Sequence, residues 1–347
     1  MISGQRKAAA GIRMAKAAAL FAAALLLAAF AGCSKDRPLV SLRPNHVLTL
    51  YYQSGISDQA LAALEVFSRK TLEISDGALG ILIKESEDPL AELDAGCDLI
   101  FSPNSLEERV NGNFSSYTSP FYFRDYTHLS LTLNSAGFQE SVDEMTRSLM
   151  NASPLGAYYG GNSVFVTGTA FYLSEPEEFE GVKVYLAPDN AALEYTLEHL
   201  GAEIAVKSDE DRLEGFLAGS YASIEWERSR LEELSIPRVE KPFYVCDSFH
   251  HAKIDWLMLS GTTEERLTEE QMAVLTEAAA YSIAANDRAV LELEEKGFDY
   301  IVSLGCQSGT VNYLNFSDRA DDILEGSARY ANLWDWENHR LVKNLTR

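Results

Sequence analysis

Basic residues are scarce: 29 Lys and Arg stand against 52 Asp and Glu over 347 residues, a formal net charge of −23. A nucleic-acid-binding surface needs cations to displace counterions from phosphate, and this balance excludes one. It equally excludes a basic patch that would hold the chain to anionic lipid. Cysteine is nearly absent, with four in the chain: Cys33, Cys97, Cys246 and Cys306. No Cys-x-x-Cys and no His-x-x-x-His occurs, so no metal site is expected. Gly-x-Ser-x-Gly, Walker and dinucleotide fingerprints are missing as well. Gly305-Cys306-Gln307-Ser308-Gly309 sets a thiol between glycines, but nothing places a base beside it. The chain is therefore not expected to be an enzyme or to carry a cofactor. Aromatic residues at 10% and interspersed charges argue against disorder, and the length suits about two domains.

Long hydrophobic runs are also missing, with one short exception. Arg6, Lys7, Arg13 and Lys16 precede an uncharged stretch from Ala17 to Ala31. Those 15 residues are too few to span a bilayer but suit the apolar region of a signal peptide. The stretch ends Phe30-Ala31-Gly32-Cys33 and turns polar at Ser34-Lys35-Asp36, which resembles the cleavage box of bacterial lipoproteins. Residues 1–32 are expected to be a signal peptide, Cys33 the lipidated N-terminus, and 33–45 a tether. The alternative is an ordinary signal peptide that happens to end near a cysteine. Cleavage would remove four of the 29 basic residues and none of the 52 acidic ones, leaving −27. Three remaining cysteines permit at most one bridge, and free thiols are expected.

An α/β unit is written twice. His46–Tyr52 alternates as a strand, a helix capped at Ser57 or Asp58 follows, and strands at 78–84 and 98–101 flank a short helix from Pro89. The same order returns from Val182: strand, helix 191–200, strand 202–207, helix from Ser208, strand 221–226. Such crossovers want parallel sheets with covered faces. The expected fold class is α/β, a bilobal periplasmic-binding-protein-like fold with a hinge and a long C-terminal helix over Thr268–Lys296. Residues 46–156 with about 252–300 form lobe I and 157–251 lobe II. The segment 301–347, read as irregular, packs on the lobes through Trp334 and Trp336. The two units are expected in separate sheets rather than side by side in one.

Ligands of open α/β sheets sit beyond the carboxyl ends of strands. That rule selects Gln53, Ser102, Asn104, Tyr185, Asp189, Glu225 and Trp226. Tyr158-Tyr159-Gly160-Gly161-Asn162 reads as a first lobe crossing, in which the glycines allow rotation and Tyr158 and Asn162 face a ligand; the same glycines would serve a plain turn. Phe249-His250-His251 with Trp256 is the densest aromatic and imidazole cluster. Phe249 and His250 are candidate cleft contacts; a crossing strand with ordinary hydrogen bonds, or a metal site drawing on Asp247 and Asp255, are the other readings.

Three stretches carry a family resemblance. PFYFRDYTH (Pro120–His128), EPEEFEGVKVYLAP (Glu175–Pro188) and LEHLGAEIAVKSDEDRLEGFLAGSYASIE (Leu197–Glu225) resemble segments of the DctP-type substrate-binding proteins of TRAP transporters. The resemblance covers roughly residues 46–300. It implies an extracytoplasmic protein, lipid-anchored to the membrane here, that binds a small solute between its lobes and delivers it to the membrane permease subunits of a TRAP-type transporter. A regulatory or sensory lipoprotein of the same fold, signalling ligand occupancy or no longer binding ligand, is the alternative. The resemblance also implies where this chain departs. Arginines that clamp organic acids in the family fall on Tyr185 and near Val164, and a family asparagine falls on Trp226. Neither valine nor tryptophan offers the bidentate, charge-assisted grip of an arginine, and tyrosine offers one neutral hydroxyl. An uncharged or aromatic-bearing solute is the expectation, unless Arg124, Arg228 or Arg230 enters the cleft. Tyr185 and Trp226 are equally open to core packing.

Overall fold

The computed structural model describes residues 44–102, 116–168, 173–188, 190–218, 222–234 and 243–344, and Pro44–Arg347 form one compact unit. The leader, most of the tether, Cys33, Asn104 and Asp189 lie outside the described residues.

The first unit builds as its sequence dictates. In β1 (His46–Gln53) the alternating Leu48 and Leu50 are fully buried while Val47 is exposed, the period-2 signature of a strand covered on one face. Ser57 Oγ accepts the Ala60 N–H at 3.1 Å and starts α1 (Asp58–Ile74), whose Ala60, Ala63, Leu64, Phe67 and Thr71 face the sheet. β2 (Leu79–Ser86) runs parallel to β1. Asp88 caps α2 (Pro89–Asp94), and β3 (Leu99–Ser102) lies parallel on the other side of β1. α3 (Tyr126–Leu133), capped by Asp125, and α4 (Ala136–Met150) lead into β4 (Ala152–Thr167).

The second unit repeats the pattern. β5 (Lys183–Leu186), α5 (Ala191–His199) capped by Asn190, β6 (Glu203–Val206), α6 (Asp209–Leu217) capped by Ser208, and β7 (Ser223–Glu227) follow in order. β6, β5 and β7 are parallel neighbours. A 3-10 segment, Arg228–Leu234, leads away from β7. β8 (Tyr244–Asp247) and β9 (Ala252–Ser260) bring the chain back to the first lobe, where β9 pairs antiparallel with β3.

The 16-residue strand β4 joins the lobes. Ala152–Asn162 pair with β9, Ser163–Thr167 pair with β7, and Phe165–Thr167 also pair with β8. The hydrogen-bonded path therefore runs unbroken through a ten-stranded order, β2-β1-β3-β9-β4-β7-β5-β6, with β8 and a last strand, β10 (Gln307–Thr310), attached. One continuous path thus replaces the two separate sheets expected from the sequence. The units nevertheless do not lie side by side, because each uses a different half of β4. A bulge between Tyr159 and Gly161, with Gly161 at φ +103°, marks the changeover.

After a single turn, α7 (Gly261–Glu264), Thr268 and Gln271 form a capping box and open α8 (Glu269–Ser303), which runs past the expected end at Lys296. Its buried face crosses both lobes, packing on α1, β4 and the Arg228–Leu234 segment. The tail is not irregular. β10 (Gln307–Thr310) pairs parallel with β8, and α9 (Tyr313–Glu325) and α10 (Trp336–Lys343) follow. Phe316, Ala320 and Leu324 make an i, i+4, i+8 stripe along α9 that the surrounding acidic residues hide from a composition-led reading. Trp334 and Trp336 cluster with Tyr330 and reach Tyr195 of α5, while Asn338 donates to Tyr117 Oη and Ser141 Oγ of the first lobe. Cys97, Cys246 and Cys306 are free thiols.

Candidate functional site

A cavity of about 830 Å³ lies where the lobes meet. The loop into α3 supplies Arg124, Asp125 and Tyr126; the bulged centre of β4 supplies Asn162; β8 and the crossing after it supply Asp247, Ser248 and Phe249. The floor comes from one face of α8, including Leu291, Glu294 and Phe298, and the rim from Thr310, Val311 and Tyr313. No helix of the described residues is long and apolar enough to cross a membrane, and none of their His, Cys, Asp and Glu side chains group in threes fit to hold a metal ion.

Both arginines of the cavity arrive with a carboxylate attached. Arg124 Nε pairs with Asp125 Oδ2 at 2.8 Å, while the other oxygen of Asp125 caps α3 through His128 N. Arg228 Nη1 pairs with Asp247, and its guanidinium lies over the Phe298 ring at 4.6 Å. Arg230 is turned elsewhere, to Asp209 and Glu233. Glu294, 5% exposed, takes three hydrogen bonds on Oε1: from Tyr159 Oη at 2.8 Å, Asn162 N at 2.9 Å and Asn162 Nδ2 at 2.8 Å. Burial raises the Glu294 pKa, and those donors with Arg228 offset part of the rise.

Among the residues selected from sequence, Asn162 and Phe249 line this cavity. Phe249 sits in the left-handed region at φ 45°, with its ring stacked on Tyr159 at 6.1 Å. Tyr158 points the other way, into the core under α1 and α8, with its hydroxyl on Ser282 Oγ at 3.0 Å. Gln53 and Ser102 end β1 and β3, half-buried and buried.

Tyr185, Trp226 and Val164 come together, in an apolar cluster with Leu231, Leu234 and Ile301. Trp226 is held between the guanidinium groups of Arg212 and Arg230, at 5.1 and 5.2 Å, and donates from Nε1 to Arg230 O. The positions at which the family resemblance would place its anion clamp are core in this chain.

Glu225 and His250 also meet. Glu225 Oε2 accepts the Ala187 N–H at 3.0 Å, and Oε1 stands 3.4 Å from His250 Nε2 and 3.8 Å from His251 Nδ1. His250 is fully buried, stacked on Phe165 at 4.0 Å, with Nδ1 on Ser248 Oγ at 2.6 Å. The 3.4 Å contact is electrostatic rather than a formed hydrogen bond, since neither atom has a hydrogen-bond partner among the described residues. Burial works to raise the Glu225 carboxyl, and the two imidazoles facing it more than offset this and hold it well below its usual range. Burial lowers His250, which the nearby Glu225 counteracts in part.

Sequence reading missed Glu294 and Phe298. The available signal was on α8, where Ser282, Asn286 and Glu294 interrupt a buried stripe that is otherwise apolar or glycine.

Two lobes, a shared crossing strand and a cavity at their junction define the class of bilobal binding folds. More narrowly, the chain has the fold of TRAP periplasmic solute-binding proteins. An apo open structure of one from Escherichia fergusonii aligns with TM-score 0.70 at 19% identity, covering 86% of this chain and 98% of that one. One from Rhodobacter sphaeroides, also apo and open, aligns with TM-score 0.72 at 12% identity, covering 86% and 99%. One from Sulfitobacter sp. NAS-14.1 with bound β-D-galacturonate aligns with TM-score 0.63 at 16% identity, covering 87% and 99%. No family model matches the sequence, and no curated protein matches it.

Proposed function

We propose that this chain is an extracytoplasmic lipoprotein that captures a small solute between its lobes and delivers it to the membrane subunits of a TRAP-type permease, without catalysis of its own. The observation that carries this reading is the 830 Å³ cavity at the lobe junction of a solute-binding fold, a volume in the usual range for small-molecule sites. Mass spectrometry of small molecules released on denaturing the purified protein tests it. A stoichiometric solute is the expected result; none, with no binding in any solute screen, would favour the sensory alternative. The packed state of Val164, Tyr185 and Trp226 is the observation on that side, since a protein that no longer binds organic acids would be free to fill those positions.

Membrane attachment is a separate matter, resting on Ala31-Gly32-Cys33. Two or three acyl chains anchor firmly where one does not. Cys33→Ala is expected to move the protein from the membrane fraction to the soluble one, or to leave uncleaved precursor. Normal processing with unchanged attachment would count against lipidation.

A further inference from the structure

Resting on the solute-binding reading, we propose that the cavity takes a solute bearing a protonated amine, with the ammonium seated against Asn162 Oδ1 and Glu294 Oε2.

Asn162 is 3% exposed, and its Oδ1 has no hydrogen-bond partner among the described residues. A buried acceptor left empty costs about 1–3 kcal/mol, so it calls for a donor from outside the chain. The amide cannot turn over to solve this. Nδ2 already donates to Tyr159 Oη at 2.9 Å and to Glu294 Oε1 at 2.8 Å, and a flipped amide would set oxygen against the carboxylate. All three donors to Glu294 reach Oε1, which leaves Oε2 without one among the described residues, on a side chain that lines the cavity.

Charge points the same way. Arg124 and Arg228 each hold their own aspartate, so each already has one counter-ion. Glu294 and, at the exposed end of the same helix face, Glu295 and Asp299 have no ion pair among the described residues. An incoming carboxylate could use the remaining N–H groups of these arginines, Arg228 Nε among them without a hydrogen-bond partner among the described residues, but would do so facing Glu294, Glu295 and Asp299. A hydroxyl would satisfy Asn162 Oδ1 but bring no charge to the acidic face of Glu294, Glu295 and Asp299, where Arg228 is the cation already acting on Glu294. An ammonium brings three donors and a positive charge together, beside the Phe249 ring.

Isothermal titration of the whole protein with size-matched primary amines, neutral polyols and carboxylates tests this, with D-glucosamine, D-glucose and D-glucuronate as one matched triple. Amines are expected to bind at least about tenfold more tightly than their neutral and acidic counterparts, and Glu294→Gln to lose that advantage. Glu295→Gln with Asp299→Asn, at exposed positions that do not threaten folding, is expected to weaken amine binding severalfold more than polyol binding. Equal or tighter binding of polyols or carboxylates, or amine affinity indifferent to these variants, would overturn the proposed ligand class while leaving solute binding intact. Failure of all three classes, with no solute released from the purified protein, would instead overturn the solute-binding reading and the ligand class with it.

Discussion

Glu225→Ala is expected to destabilise the folded chain by about 3–5 kcal/mol, the usual consequence of removing one partner from a buried polar cluster. Glu225 is 1% exposed, accepts the Ala187 N–H, and faces His250, His251 and, at 4.0 Å, Arg212, so its loss strands one backbone donor and takes the carboxylate from three buried basic groups. Urea denaturation at neutral pH measures the effect; a change below about 0.5 kcal/mol, typical of a surface substitution, would contradict it. Acid should reproduce part of the loss. His250 is lowered from its ordinary 6.5, so the unfolded chain takes up a proton first, and stability falls as pH drops below about 6.5 toward the folded value. Glu225 is lowered from its ordinary 4.5, so its contribution is complete above that value and is lost as pH falls through the depressed one. Both act in the same direction. His250→Phe should flatten the upper part of the pH profile, below about pH 6.5, and also shrink the lower part, because His250 is one of the two imidazoles that hold the Glu225 carboxyl down.

Gly297→Ala is the second large effect. Alanine in the middle of a helix normally stabilises by roughly 0.5–1 kcal/mol over glycine. Here a Cβ at Gly297 would stand 2.5 Å from the backbone oxygen of Arg228, so α8 and the Arg228–Leu234 segment would have to separate. A net loss of about 1–3 kcal/mol is expected, as for an overpacked core. Because Arg228 lines the cavity, the shift should also weaken solute binding. A variant as stable as the parent, with unchanged binding, would show that the contact yields.

The strands and caps were legible because each rests on local chemistry. Ser57, Ser208 and Thr268 each accept a backbone N–H at a helix start, and Leu48 and Leu50 alternate with an exposed Val47. Asn162 and Phe249 were legible for a related reason: each marks a crossing, one after a pair of glycines and one in an aromatic and imidazole run. What local patterns do not encode is which face of a crossing strand looks into a cavity. One bulge puts Tyr159 and Asn162 on the same glutamate and sends Tyr158 into the core. Glu294 lies 132 residues from Asn162 in the chain, so nothing near either residue announces the pair. Tyr185 and Trp226 sit at strand ends where a ligand is expected, and the Arg228–Leu234 segment, whose Leu231 and Leu234 join their cluster, settles their role as packing.

The sharing of β4 between both sheets bears on how the chain unfolds. A lobe held only by loops could melt alone, giving two transitions on heating. Here the residues that complete the first sheet, Ala152–Asn162, run without interruption into those that complete the second, Ser163–Thr167. Freeing either half removes a central strand whose other half is the neighbour's, and α8 spans the same junction from the outside. The two lobes should therefore melt as one cooperative body, so that a single calorimetric transition accompanies a shape with two parts.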